Sequence, residues 1–429
     1  MYLYSFGCKV NSYETEAMAS ALVKSDFVIS DDMEDADAIV VNSCTVTAKG
    51  DKRVRQFIHK VKRDNPNATL VLTGCFPQAF PELAKEISEA DIIMGTGNRL
   101  SLPGLLLQYE QTHKRIVLIE DNKAKAFEPL TVDIHRSHTR AFMKIEDGCD
   151  RYCSYCIIPF ARGPVRSMSL SAIAQQAKVL AANGYRELVL SGINLSYCGR
   201  EEGYNLADAV DVISDIDDFL RIRLGSLEPD LLDDDLLRRL SCNKKLCAQF
   251  HLALQSGCDR TLFRMNRHYT TLEYMQTAEK IRSLFSHPTF TTDIMVGFPG
   301  ETEEDFAESV SFVESFGFAR CHVFPYSVRP GTAASLLPGR LDSSIKDRRA
   351  AEMADAAVQA GKRVMETYVG CTARVILEQP HEDGSFAGYT DRYLPARVYG
   401  GNLATNCAIS GTISKIENGH AIIVNACKQ

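Results

Sequence analysis

Short apolar runs bounded by glycine and polar residues alternate along the chain with longer stretches in which apolar positions recur every three to four residues. Runs of the first kind read as buried strands and those of the second as helices, and their regular alternation predicts βαβ units around a parallel sheet. In the first part of the chain the strand-like runs are Tyr2 to Phe6, Ala38 to Ser43 and Thr69 to Thr73, with helical patterns from Tyr13 to Lys24, Lys52 to Arg63 and Pro81 to Glu89. Each run leads into a cysteine: Cys8, Cys44 and Cys75. In an open parallel sheet the residues just past the strand ends gather at one edge. Three thiols far apart in sequence are therefore expected close together in space.

A second alternating series follows a polar stretch that reads as a linker. Its strand-like runs are Ala141 to Ile145, Glu187 to Leu190, Arg221 to Leu224, Gln249 to Leu254, Thr291 to Val296 and Cys321 to Phe324. Six such βα repeats predict a partial or full βα barrel, whose chemistry sits on the loops after the strands. Beyond a long helical stretch, Lys346 to Tyr368, the texture changes to short strands joined by turns, at about 372–377, 386–390, 396–399, 408–413 and 421–424. An all-β unit of this size fits a small OB-like barrel. The predicted class is α/β, with an N-terminal open parallel α/β sheet domain (1–115), a linker (116–137), a central barrel (138–368) and a C-terminal small β-barrel (369–429).

The 14 cysteines in 429 residues occur in metal-type spacings, which points to a reducing compartment. The N-terminus has no basic and apolar signal-peptide pattern, and no apolar run approaches the ~18 residues of a membrane span. The expectation is a cytoplasmic protein with no membrane partner. A net charge of −7 argues against a generally basic nucleic-acid binder. Locally, however, Lys49, Lys52, Arg53, Arg55, Lys60, Lys62 and Arg63 face a single intervening acid, Asp51. That run reads either as the solvated face of a helix or as a phosphate-contacting one.

The most compact chemical signal is Cys149-x3-Cys153-x2-Cys156. Three thiols on one loop can ligate three irons of a [4Fe–4S] cube and leave the fourth open to a small molecule. A structural zinc site would need a fourth ligand and a paired Cys spacing, which does not follow nearby. Polar or glycine-containing residues recur after successive strands: Gly192 and Asn194, Ser226 and Glu228, Gln255, and Phe298 in a Gly-Phe-Pro-Gly turn, with Asp293 inside the fifth run. Glycine permits close backbone approach and amides or carboxylates can bond a ribose or an amino group, although singly each also suits an ordinary turn or cap.

The cysteine loop, with Tyr155 before its last cysteine, resembles the cluster loop of radical S-adenosylmethionine (SAM) enzymes. Gly7-Cys8-Lys9-Val10-Asn11, Tyr13-Glu14-Thr15-Glu16, Asn42-Ser43-Cys44-Thr45 and Thr73-Gly74-Cys75 resemble the methylthiotransferases of that superfamily, and within them the branch acting on N6-threonylcarbamoyladenosine in tRNA. The resemblance implies two [4Fe–4S] clusters, on Cys149, Cys153 and Cys156 and on Cys8, Cys44 and Cys75. It implies S-adenosyl-L-methionine held by Tyr155, Gly192, Asn194, Ser226, Glu228, Gln255, Asp293 and Phe298, and an open six-stranded barrel with a C-terminal TRAM domain. Gly225 departs from the family pattern, which commonly has two serines at this point. Arg162 and Arg166, just past the cluster loop, are expected to hold a phosphate of the substrate or to form an ion pair with a barrel acid. The implied partners are a tRNA anticodon stem-loop and an electron donor, a reductase with flavodoxin or ferredoxin, for a monomeric enzyme. The same chemistry on isopentenyladenosine or on a ribosomal-protein aspartate, a zinc-containing RNA-binding protein, and a flavodoxin-like redox carrier remain as alternatives at this stage.

Overall fold

The computed structural model describes residues 1–122, 126–133, 139–400 and 403–428. The N-terminal elements are β1 (Tyr2–Ser5), α1 (Lys9–Lys24), β2 (Ala38–Ser43), α2 (Ala48–Asp64), β3 (Thr69–Gly74), α3 (Cys75–Ala79), α4 (Pro81–Lys85), β4 (Ile92–Met94), α5 (Leu102–Thr112) and β5 (Ile116–Leu118). The five strands form one parallel sheet in the order β1-β2-β3-β4-β5. Alternation sorts the side chains of each strand onto two faces. Ile39, Val41, Leu70 and Leu72 pack under Val54, Ile58 and Val61 of α2, whereas Ala38, Val40 and Val71 pack under Met18 and Leu22 of α1 and Leu102 and Leu106 of α5. Burial on both faces is why these strands read as unbroken apolar runs. Strand β5 lies in the stretch expected as linker and pairs with β4.

The central elements are β6 (Ala141–Lys144), β7 (Glu146–Asp147), α6 (Ile158–Arg162), β8 (Arg166–Ser167), α7 (Leu170–Ala182), β9 (Glu187–Ser191), α8 (Leu206–Ser214), β10 (Arg221–Leu224), β11 (Ser226–Leu227), α9 (Asp234–Cys242), β12 (Gln249–Leu252), α10 (Asp259–Arg264), α11 (Thr271–Leu284), β13 (Thr289–Val296), α12 (Glu303–Phe316), β14 (Arg320–Pro325) and α13 (Ser343–Glu366). Strands β10-β9-β6 form one parallel sheet and β11-β12-β13-β14 another. The two are one wall, because β10 runs into β11 through Gly225 and an Ile222–Leu246 bridge spans the seam. A Cβ at position 225 would stand 3.0 Å from the Leu190 carbonyl oxygen, so the glycine is the corner at which the strand changes sheets. Among the described residues β6 and β14 have no strand between them, which leaves the barrel open on that side.

The C-terminal strands β15 (Thr372–Pro380), β16 (Phe386–Thr390), β17 (Pro395–Val398), β18 (Ala408–Glu417) and β19 (His420–Lys428) close into a small barrel in the order β15-β16-β17-β19-β18. Its β16–β17 turn plugs the floor of the central barrel. Glu187 holds Arg221 at 2.6 Å and Arg223 at 2.9 Å. The two guanidiniums then donate to the carbonyls of Arg374, Tyr389, Thr390 and Asp391 at 3.0 to 3.3 Å. Tyr389 and Tyr393 stack at 4.6 Å, with Arg140 over the first ring and Arg223 over the second. These tyrosines are thus occupied in a cation–π junction between the central and the C-terminal barrels.

Arg223→Ala removes the donor for two turn carbonyls and one of the guanidiniums on buried Glu187. The expected loss is about 3–5 kcal/mol of unfolding free energy, the cost of breaking a buried pair from one side, read from urea denaturation.

Candidate functional site

The three N-terminal thiols meet at the edge of the first sheet. Cys8 caps α1, Cys44 follows β2 and Cys75 opens α3 directly after β3. Gly7 has φ +105°, and a Cβ there would fall 2.8 Å from Cys44 Sγ, so only glycine lets the first loop come this close to the second. Cys8 and Cys75 lie within electrostatic reach of Cys44, whose thiol is pushed up to about 12, first by burial and then by those two neighbours. Burial likewise raises Cys75. Asn11 ties the loops together: its Nδ2 donates to the carbonyls of Phe6 (2.8 Å) and Ser43 (3.0 Å).

Cys149, Cys153 and Cys156 lie on the loop between β7 and α6. Burial raises Cys149 to about 12 and also raises Cys156, each with Cys153 as an electrostatic neighbour. All six cysteines are free. Among the described residues no three His, Cys, Asp or Glu side chains converge as they would on a single metal ion. A four-iron cube asks for a wider triangle, with one thiolate on each of three irons. Two thiol-only trios, each without a fourth protein ligand evident, fit that group better than tetrahedral zinc.

The rim of the central barrel carries unsatisfied polar atoms beside this loop. Asn194 Nδ2, Gln255 Oε1 and Glu146 Oε1 are buried without a partner among the described residues. Buried polar atoms of this kind call for a ligand, and these three project from strand ends on one rim. Glu146 accepts from the Asn194 backbone at 2.7 Å through Oε2, and burial pushes its carboxyl well above the usual range. A Cβ at Gly192 would strike that same Oε2, so Gly192 makes room for Glu146. Ser226 is half-buried at the start of β11.

The other expected contacts have protein partners. Phe298 is fully buried among Met265, Met295 and Tyr326, and supports Tyr155 edge-on from below at 6.5 Å. Glu228 pairs with Arg267, and Arg267 Nη1 donates to Cys153 Sγ at 3.3 Å. Asp293 faces His251 Nε2 at 3.4 Å on the inner barrel wall.

Of the two roles expected for Arg162 and Arg166, the ion pair is the one the structure displays. Arg162 is 0% exposed, and a macromolecular phosphate does not reach a guanidinium without surface. It binds Glu14, Asn11 Oδ1 (2.7 Å) and Cys75 Sγ (3.3 Å), while Arg166 pairs with Asp147 at 3.2 Å. Glu14 also meets Arg99 and Lys144, each at 2.8 Å, and Lys144 reaches Asp147 at 3.1 Å. Burial by itself would raise Glu14, but Arg162, Arg99 and Lys144 outweigh it and hold the carboxyl down at about 2. This network joins the first thiol trio to the barrel that carries the second.

Sequence reasoning did not single out Arg267, Glu146, Asp147, Arg99 or Lys144. Arg267 is 114 residues from the cysteine it touches, and no spacing rule spans that distance. Asp147 and Glu146 directly precede the cluster loop, a place where acids deserved the same scrutiny as the arginines beyond it. On the surface, Tyr152 (56% exposed) and Phe160 (53%) meet edge to face beside the cluster loop. Along α2, Lys49, Lys52, Arg53, Arg55 and Lys60 are exposed, while Asp51 turns inward to Arg329 at 2.6 Å.

A family model described as "Uncharacterized protein family UPF0004" matches residues 1–95, and the Radical SAM superfamily matches residues 143–313. The chain is 35% identical over 398 residues to "Threonylcarbamoyladenosine tRNA methylthiotransferase MtaB" of Bacillus subtilis, covering 91% of this chain and 88% of that protein. It is 34% identical to the protein of that name from Thermotoga maritima, covering 93% and 91%. It is 29% identical to a "tRNA-2-methylthio-N(6)-dimethylallyladenosine synthase" of Clostridium botulinum, covering 99% and 95%. A solved structure of a radical S-adenosylmethionine methyltransferase from Kitasatospora setae superposes with a TM-score of 0.58 at 14% identity, covering 78% of this chain and 77% of that one, a likeness of fold alone.

Because Glu14 titrates at about 2 in the folded state against 4.5 ordinarily, its contribution to stability is complete above about pH 4.5 and is lost as pH falls toward 2. Glu14→Gln should flatten unfolding free energy over that window. At neutral pH it should cost about 3–5 kcal/mol, since three cations lose their shared carboxylate.

Proposed function

The chain belongs to the MtaB-type tRNA methylthiotransferases of the radical SAM superfamily, and from that membership we propose that it converts N6-threonylcarbamoyladenosine next to the tRNA anticodon to its 2-methylthio derivative. The observation that supports this most directly is the buried contact from Arg162, at the end of the cluster-loop helix, to Cys75 in the first thiol trio. That contact supports a reading in which the two sets of three thiols serve one site.

Cys149, Cys153 and Cys156 would hold one [4Fe–4S] cluster and Cys8, Cys44 and Cys75 another; bound there with SAM, they supply a radical able to activate an aromatic C–H bond, the sulfur to be inserted and the methyl group. The protein's own residues bind and orient. Asn194 Nδ2, Gln255 Oε1 and Glu146 offer the buried polar atoms for SAM. Arg267, held by Glu228, places a cation on Cys153. Ser226 and Tyr155 flank the same rim, and Asp293 lines the chamber below it.

In this reading the methylthiotransferase domain runs from residue 1 through β5, the radical SAM barrel covers 138–368 and a TRAM-like unit covers 369–429. The exposed cations of α2 and the Tyr152–Phe160 pair contact the anticodon stem-loop, as phosphate and nucleobase partners respectively. A flavodoxin or ferredoxin with its reductase supplies the electron, and the enzyme works as a cytoplasmic monomer. Among the described residues no helix is long and apolar enough to cross a membrane.

Anaerobically prepared protein should hold about eight irons, and about four after Cys149, Cys153 and Cys156 are replaced by Ala. Stoichiometric zinc without acid-labile sulfide would overturn the reading. In a deletion strain, tRNA nucleosides should lack the 2-methylthio form of threonylcarbamoyladenosine; loss of the isopentenyl derivative instead reassigns the substrate. Replacing Lys52, Arg53 and Arg55 by Ala should weaken tRNA binding and reduce the slope of log affinity against log salt by about 0.7–0.9 for each phosphate contact removed.

A further inference from the structure

Strand β1 is the outer strand of the N-terminal sheet: it pairs with β2 and, among the described residues, with no strand on its other edge. Alternation sends Tyr2, Tyr4 and Phe6 to one face, the face that α2 covers. There Phe57 of α2 meets two of these rings. Tyr4 stacks on it with centroids 4.5 Å apart and planes at 28°, while Phe6 stands edge-on to Tyr4 at 4.8 Å and to Phe57 at 5.5 Å. A core aromatic is covered on all sides. This group is not, because Tyr4 is 36% exposed and Phe6 and Phe57 are only half-buried. Phe57 backs one face of the Tyr4 ring, and the exposed area is what Phe57 and Phe6 leave uncovered.

The helix that supplies Phe57 supplies cations beside it. Residues three and four apart on a helix are surface neighbours, which sets Arg53 and Lys60 on either side of Phe57. Both are exposed, and among the described residues neither has an acid within ion-pair distance, whereas Lys62 and Arg63 are taken by Asp91 and Asp64. The acids Asp31, Asp32, Glu34 and Asp35 follow Ser30, whose N–H donates to the Met1 carbonyl at 2.7 Å. They therefore border the start of β1. A polyanion is repelled at that end of the strand and drawn toward the end that carries Cys8.

Two lengths of chain place this patch relative to the first thiol trio. Tyr4 precedes Cys8 by four residues, at most about 14 Å of extended chain. Phe57 lies ten residues beyond Thr47, the N-cap of α2 and close behind Cys44, which is about 15 Å of helix. A ring at that distance serves a base a few nucleotides from the reacting one. Only a single-stranded loop has unstacked bases to offer such a ring. A protein electron donor, in contrast, has to approach the other trio, on the loop between β7 and α6.

We propose that Tyr4, backed by Phe57, is a stacking platform for a nucleobase of the anticodon loop other than the one modified, with Arg53 and Lys60 on the phosphates to either side. The inference rests on the tRNA reading given above and adds to it a subsite on the N-terminal domain. Rings interleaved with cations bind single strands with little regard to base identity, because every base has a π-face. The subsite thus contributes to holding the loop open and not to the choice among modified adenosines.

The test uses the full-length holoenzyme and an anticodon stem-loop carrying 2-aminopurine at one loop position at a time, with Kd and fluorescence as readouts. Binding to wild type should quench a loop position other than the modified one. Tyr4→Phe should keep that quenching and the wild-type Kd. Tyr4→Leu, which leaves apolar bulk over Phe57, should lose the quenching and raise Kd about fivefold or more, the range for one base–aromatic stack. Its salt dependence should stay as in wild type, since no phosphate contact is removed, whereas Arg53→Gln with Lys60→Gln should lower the salt slope and keep the quenching. The stem alone, as a duplex without the loop, should bind wild type and Tyr4→Leu equally, which a general loss of structure would not allow. If no loop position beyond the modified one is quenched by wild type, or Tyr4→Leu quenches and binds as wild type does, or that variant is instead impaired in accepting electrons from flavodoxin, the inference fails while the functional reading stands. If wild type binds no anticodon stem-loop, the functional reading fails and the inference with it.

Discussion

The buried carboxylate of Glu14 ties the helix after the first strand to the central barrel. It has no exposed surface and sits among Arg99, Lys144 and Arg162, while Asp147 sits among Lys144, Arg162 and Arg166. Isolated, any of these charges would be costly to bury; together they satisfy one another. The geometry then leaves little freedom. Glu14 belongs to the helix that Cys8 caps, and Asp147 and Arg162 bracket the loop of Cys149, Cys153 and Cys156. A rigid link between helix and loop fixes the separation of the two thiol trios.

A second polar junction, on the far side of the barrel, follows the same logic. Glu187 anchors two arginines whose remaining donors satisfy carbonyls of the β16–β17 turn. Without the small barrel those guanidiniums would face water, and the floor of the central barrel would be open. Each trio also has one arginine on a thiol at 3.3 Å, Arg162 on Cys75 and Arg267 on Cys153, and each arginine is held by a glutamate. Fixed positive charge beside a thiolate favours the ligating form and any added electron nearby.

The period of apolar residues was enough to determine the longer strands and helices and the change of texture near residue 370, because burial on two faces or on one stripe writes itself locally into the chain, whereas the three-residue strands β4 and β5 are too short to show a period. Cysteine at the ends of three early strands likewise determined that those thiols gather, since strand ends of parallel sheets share an edge. Only the tertiary structure decided what the charged residues do. Arg162 and Arg166, open in the sequence to a phosphate or an ion pair, lie on buried acids, Glu228 meets Arg267, and Tyr389 and Tyr393 lie under Arg140 and Arg223. The physical reason is that a hydrophobic residue's fate depends on its own helix or strand, whereas a charge is assigned by whichever opposite charge, from anywhere in the chain, is buried with it.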